Sequence, residues 1–235
     1  MTLPRLAVVP IVLAVLLVAA ARVGPFESRA QQPEVLATHE IERIQALNEG
    51  GDPAPEPIRW RPSRALGLPY GGRLVRGVRL PSEGASFFTW DPIRKTTPNR
   101  AWRRHGTDRL VATLLDVLGE FQDEHPDAPR VGIGDLSRPR GGDFGPRFGP
   151  PGHASHQNGL DADVYYPRRD GRERAPLGPA QVDRALVQDL VDRFVAIGAR
   201  YVFVGQRTGL RGPRRVVQPI PHHENHLHVR LRPQA

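Results

Sequence analysis

Six of the nine histidines in this 235-residue chain fall in two short runs, His153 and His156 in HASHQNGLDADVYY and His222, His223, His226 and His228 in HHENHLHVRL. The second run continues in strict alternation, His226-Leu227-His228-Val229-Arg230-Leu231-Arg232. On a strand this sends Leu227, Val229 and Leu231 into a core and both histidines to the other face. On a helix, residues two apart point about 200° from each other and cannot converge. A strand therefore makes His-x-His a chelating pair, or a ligand beside a catalytic neighbour. In the first run Gly159 turns the chain after His156, and Leu160-Asp161-Ala162-Asp163-Val164 alternates again, with both aspartates facing away from the core. His156, Asp163 and His228 thus form a three-ligand set of nitrogen and oxygen donors. Such a set suits zinc and leaves its fourth position to water, the pattern of catalytic rather than structural sites. A metal-scavenging tail or an Asp-capped turn explains either run alone, but not both together.

Other hydrolytic chemistries fail on the same residues. The chain has no cysteine, which removes thiol nucleophiles, thiolate metal sites and disulfides. His223-Glu224-Asn225-His226 is one residue short of the HExxH spacing that puts two histidines on one helical face. Lys95 is the sole lysine and follows Pro92-Ile93-Arg94, so there is no S-x-x-K; no G-x-S-x-G elbow occurs either. What remains is a metal-activated water.

Positioning these residues calls for strands at 130–134, 160–166, 200–204 and 226–232, each rich in Val, Ile, Leu or Tyr. Leu110, Val111, Leu114, Leu115, Leu118 and Phe121 keep helical spacing, with Thr107 as a cap and Pro126 beyond the end. A second helix is expected over Gln181–Ile197, with Val182, Leu186, Leu190, Phe194 and Ile197 on one stripe and Gly198 as its stop. Helices and strands do not strictly alternate, which predicts an α+β fold: a small, mainly antiparallel sheet flanked by helices.

Arg5 precedes sixteen residues, Leu6 to Ala21, that carry no charge, and Ala19-Ala20-Ala21 offers a small-residue cleavage site. Residues 1–21 are therefore expected to be an export signal or, uncleaved, a membrane anchor. Residues 22–59, with Pro25, Pro33, Pro53, Pro55 and Pro57, read as a Pro-rich tether with some helical spacing only at Val35–Leu47. Residues 60–235 form the working domain. The net charge of +8, almost all of it arginine, points to an anionic partner. Export and the lack of aromatic interleaving argue against nucleic acid. The expected location is the periplasm or cell wall, with any membrane contact confined to the N-terminal segment.

HASHQNGLDAD followed by HHENHLHVRL resembles the penicillin-insensitive murein endopeptidases, within the wider group of lysostaphin-type, D-Ala-D-Ala and hedgehog-like metallopeptidases. GDLSRPRGGDFG at 134–145 and LGLPYGGRLVRGVRLP at 66–81 are similar to the endopeptidases specifically, while the Arg-rich insert 168–174 and the long tether depart from them. The resemblance implies a hedgehog/D-Ala-D-Ala-peptidase-like domain that binds Zn2+ through His156, Asp163 and His228. It implies that His226 is catalytic and His223 the general base, with Glu224 the alternative. His153, Ser137 and Arg138 fall at substrate-contacting positions. The implied reaction is hydrolysis of D-alanyl-diaminopimelyl cross-link amides in peptidoglycan, with carboxypeptidase trimming on the same site, or a non-catalytic wall-binding module, as alternatives.

Overall fold

The computed structural model describes residues 56–234; the apolar segment Leu6–Ala21, the helical spacing at Val35–Leu47 and nearly all of the tether lie outside them. Among the described residues no helix is long and apolar enough to cross a membrane.

The first expected helix is α1, Asp108–Glu124. Thr107 caps it, its hydroxyl accepting from the Leu110 N–H at 3.1 Å. Leu110, Val111, Leu114, Val117, Leu118 and Phe121 form the buried face, and Leu115 is only partly buried at its border. Burial contributes ~1.5–3 kcal/mol per such side chain, well above the sub-kcal differences in helix propensity, so packing holds this helix in place. The second helix is shorter than its spacing suggested: α2 runs Arg184–Ala196. Asp183 is the cause, because its carboxylate accepts from the N–H groups of Ala185 and Leu186 and starts the helix there. Pro179–Gln181 turns separately as a 3-10 helix. The buried stripe becomes Val187, Leu190, Val191 and Phe194, while Ile197 is exposed. Gly198, at φ +79°, ends the helix as expected.

Among the described residues, ten strands accompany these helices: β1 (Arg64–Leu68), β2 (Gly71–Val75), β3 (Val78–Arg79), β4 (Phe87–Thr89), β5 (His105–Gly106), β6 (Val131–Ile133), β7 (Asp161–Tyr165), β8 (Tyr201–Gly205), β9 (Val217–Ile220) and β10 (His226–Arg230). Six form the central sheet in the order β4-β6-β7-β10-β8-β9. Its three inner pairings are antiparallel, and each edge strand is added in parallel. The fold is therefore α+β with a mainly antiparallel sheet. β6, β7, β8 and β10 are the four expected strands. The others are short or exposed, and β9 carries Pro219, which an edge strand tolerates.

Ala162 and Val164 of β7, Leu227 and Val229 of β10 and Val202 and Val204 of β8 join the buried faces of α1 and α2 in one core. The opposite face of β7 and β10 is also buried, which alternation alone does not foresee: Asp161, Asp163 and His228 are all largely sealed from solvent. The 138–158 segment lies against this region and is tied to the β1–β2 hairpin by Leu74 N–H to Arg140 O at 2.9 Å, Gln157 N–H to Pro69 O at 2.9 Å and Asn158 Nδ2 to Gly67 O at 3.1 Å.

Gly159 turns the chain between the two halves of the first histidine run at φ +77°, and its carbonyl accepts from the Thr107 N–H at 2.9 Å. A Cβ there would meet Leu74 Cδ1 at 2.7 Å and the Thr107 nitrogen at 3.1 Å. Gly159→Ala is expected to destabilise the domain by ~1–3 kcal/mol, read by chemical denaturation, because the strained φ and the contact act together. An unchanged midpoint would mean that this turn relaxes freely.

Candidate active site

The β7–β10 ladder sets His228 opposite Asp163, Arg230 opposite Asp161 and His226 opposite Tyr165. Residues opposite each other on one face have Cβ atoms about 5 Å apart, so the register alone brings His228 to Asp163. Asp163 is the hub. Its Oδ1 lies 3.3 Å from His156 Nε2, 3.5 Å from His228 Nδ1 and 3.7 Å from His226 Nε2, and its Oδ2 lies 3.8 Å from His153 Nδ1. His223 completes the group, with its ring centroid 4.7 Å from that of His226 and 5.9 Å from that of His228.

Three of these rings are fixed by what their far nitrogens touch. His156 Nδ1 contacts the Leu136 carbonyl, which can only accept, so Nδ1 carries a proton and Nε2 is the nitrogen that offers a lone pair in the neutral ring. His228 Nε2 lies 3.0 Å from Asp161 Oδ1, and His153 Nε2 lies 2.7 Å from Asp135 Oδ2, so in each the Nδ1 facing Asp163 carries the lone pair. His156 Nε2 and Asp163 Oδ1 are both buried with no hydrogen-bond partner among the described residues. A buried lone pair costs free energy unless something fills it. A carboxylate surrounded by imidazole nitrogens, with no Arg or Lys in contact among the described residues, has the donor chemistry a divalent cation needs.

The electrostatics agree. Burial raises the Asp163 pKa, but the charges of His156 and His226 outweigh it and hold the group well below the usual carboxylate range. Burial lowers the His156 pKa, and Asp163 outweighs that in turn, so His156 shifts upward. His226 is pushed down to about 3, by burial first and then by His223, His228 and His153 against the pull of Asp163. Burial likewise lowers His228. The set thus contains one carboxylate that stays ionised, two rings, His226 and His228, shifted toward the neutral form, and a third, His156, that Asp163 shifts toward the protonated form.

Every residue named from the sequence can now be placed. His156 Nε2 and His228 Nδ1 both face Asp163 Oδ1. His153 converges too: His153, His156 and Asp163 offer donor atoms that all lie within 4.8 Å of one another. His226 and His223 stand on the more open side, neither ring being fully sealed. His222 is exposed and makes no contact with the group. The Glu224 carboxylate turns away, accepting from the Arg207 N–H at 3.3 Å and lying 3.5 Å from Arg207 Nε. Arg138 lies over the Phe148 ring at 4.2 Å and donates to the Asp143 carbonyl. Ser137 is fully buried, its carbonyl accepting from the His105 N–H and its hydroxyl without a partner among the described residues.

Sequence reading missed the buried residues behind the rings. Asp135 accepts from Asn99 Nδ2 at 2.9 Å, Arg103 Nε at 2.6 Å and His153 Nε2, and its carbonyl accepts from the Asp163 N–H at 2.9 Å. Phe144 packs 5.0 Å from the His153 ring and 6.1 Å from that of His156. Burial raises the Asp135 pKa, but hydrogen bonds from Arg103 and His153 overcome this and hold it at about 2. A pKa depressed in the folded state stabilises fully above the unfolded value of ~4 and is lost as pH falls toward the folded value. Asp135→Asn is therefore expected to cost ~3–5 kcal/mol at pH 7, where it strands Arg103 in the core. The gap to the native protein should narrow between pH 4 and 2. Urea denaturation at several pH values checks this, and a gap independent of pH would contradict it.

Residues 65–194, from β1 through most of α2, match the family described as penicillin-insensitive murein endopeptidase; His153, His156 and Asp163 lie inside the match and β10 beyond it. A protein of that name from Yersinia enterocolitica is 31% identical over 206 residues, which cover 75% of this chain and 68% of the relative. The two histidine runs, the strands that join them and these two matches agree, and the chain belongs to the penicillin-insensitive murein endopeptidase family.

Proposed function

We propose that this protein is an exported zinc hydrolase that cuts the amide between D-alanine and diaminopimelate in peptidoglycan cross-links, with His156, Asp163 and His228 as the protein ligands. The reading includes a hedgehog/D-Ala-D-Ala-peptidase-like architecture for the domain. The observation that carries it is the buried Asp163 carboxylate, with four imidazole nitrogens within 4 Å and one oxygen left without a partner. Zinc bound there supplies Lewis acidity, polarising a carbonyl and lowering the pKa of water toward ~7.

The remaining steps fall to the chain's own side chains. His223 Nδ1 donates to the Pro221 carbonyl at 2.8 Å, which leaves Nε2 bare and able to take a proton from the attacking water. Glu224, engaged by Arg207, is worse placed for that role. His226 Nδ1 bonds Asn225 Oδ1 at 2.7 Å, turning its bare Nε2 inward beside His223. These two rings, side by side, can accept the proton and pass it to the leaving amine. Arg138, on the outer side of the 138–158 segment, supplies a guanidinium fork for a stem-peptide carboxylate, and His153 flanks the reacting bond.

The test separates endopeptidase from carboxypeptidase. Zinc-loaded protein is incubated with a cross-linked muropeptide dimer and, separately, with a monomer ending in D-Ala-D-Ala. Conversion of dimer to monomers without release of free D-alanine is the expected result. Release of terminal D-alanine with the dimer left intact would assign the carboxypeptidase reaction instead, and cleavage of neither would contradict the proposal.

A further inference from the structure

Asp161 belongs neither to the ligand set nor to the open side of the site, yet it touches two of the ligands at once. It is completely buried. Oδ1 accepts from His228 Nε2 at 3.0 Å and from Arg230 Nε at 2.6 Å; Oδ2 accepts from the His156 backbone N–H at 3.1 Å. His156 has φ +66°, a left-handed conformation costing ~1–2 kcal/mol for a residue with a Cβ, so its backbone must be held from outside. One carboxylate therefore fixes the strained backbone of one ligand and the ring of another. Both carboxylate oxygens are already committed to donors, so His228 must present Nε2–H to Asp161 and its bare Nδ1 to Asp163. The β7–β10 register makes this possible, because Asp161 and Asp163 lie on one face two residues apart and Arg230 and His228 stand opposite them.

We propose that Asp161 is the positioning residue of the metal site, setting the His228 tautomer and the His156 backbone together, so that its loss weakens metal binding rather than folding. This rests on the zinc reading above. The simpler alternative is that Asp161 serves only as the counter-charge of Arg230, whose guanidinium lies 5.7 Å over the Phe203 ring.

The experiment measures zinc affinity by competition with a chromophoric chelator in wild type, Asp161→Asn and the double variant Asp161→Asn with Arg230→Met. Asparagine keeps the shape but offers one acceptor oxygen to three donors. Loss of an outer-shell partner of this kind costs ~10–100-fold in affinity. That loss is expected in Asp161→Asn and is expected to persist in the double variant, where no buried arginine is left unpaired. Wild-type affinity in Asp161→Asn, or its recovery in the double variant, would overturn the proposal and leave Asp161 as a counter-ion. A wild type that binds no zinc would overturn the site reading itself, and the proposal with it. Should either variant fail to fold, imidazole nitrogen shifts of His228 in the metal-free wild type decide the matter: a proton on Nε2 supports the proposal, and one on Nδ1 contradicts it.

Discussion

Asp163→Asn should abolish bound metal and bring cleavage to background while leaving a folded protein. Asp163 lies within 4 Å of four imidazoles, and the amide that replaces it is neutral and turns either a donor or a weaker acceptor toward them. Losing an outer-shell partner costs up to ~100-fold in metal affinity, so losing the only anionic donor should cost at least ~10³-fold. Folding should survive because asparagine keeps the shape of the side chain and leaves the β7–β10 ladder and the core face of β7 intact. Elemental analysis for zinc and a thermal melt are the measurements. Stoichiometric zinc in Asp163→Asn would remove this residue from the ligand set.

The second large effect separates chemistry from binding. His226→Ala and His223→Ala should each keep one zinc per chain and lose ~10²–10⁴-fold in turnover, the range for removing an acid–base group. The structure gives the reason: both rings stand on the more open side, each has its Nδ1 committed to a neighbouring acceptor, and His226 Nε2, at 3.7 Å, lies farther from the shared Asp163 oxygen than the nitrogens of His156 and His228. His228→Ala, by contrast, should lose metal and turnover together. His153→Ala provides the internal comparison, since its Nδ1 also faces Asp163, though His228 lies closer to the shared oxygen. Retention of zinc by His228→Ala and its loss from His153→Ala would exchange the two residues in the ligand set.

The centre of this site was legible in the sequence because it is built on two strands whose period-2 alternation is strong. Leu227, Val229, Ala162 and Val164 declare the core face, and the histidines and aspartates between them must share the other. Asp161 was visible as a polar residue on that face, but its task depends on the backbone of His156 and on Arg230 across the ladder, and no spacing rule reports those. Asp135 and Arg103 were invisible for a related reason: a buried charge pair 32 residues apart leaves no periodic trace. A motif position says nothing of depth: Ser137 is fully buried, its carbonyl paired with the His105 N–H. Among the elements, α2 is shorter than its apolar spacing suggests because Val182 and Leu186 fit a stripe that Asp183 interrupts with its cap. The edge strands β4 and β9 are three and four residues long, too short for alternation to register.

The most direct test of the account is a zinc titration with cleavage as the readout. Metal-free protein, prepared by dialysis against a strong chelator, is supplied with increasing zinc while cleavage of a cross-linked muropeptide dimer is followed, with and without penicillin. With no cysteine and no S-x-x-K serine to acylate, penicillin should make no difference. Cleavage should be absent without metal and should rise to a plateau at one zinc per chain. Full cleavage by the metal-free protein, or inhibition by penicillin with covalent labelling of the chain, would contradict the metallopeptidase account.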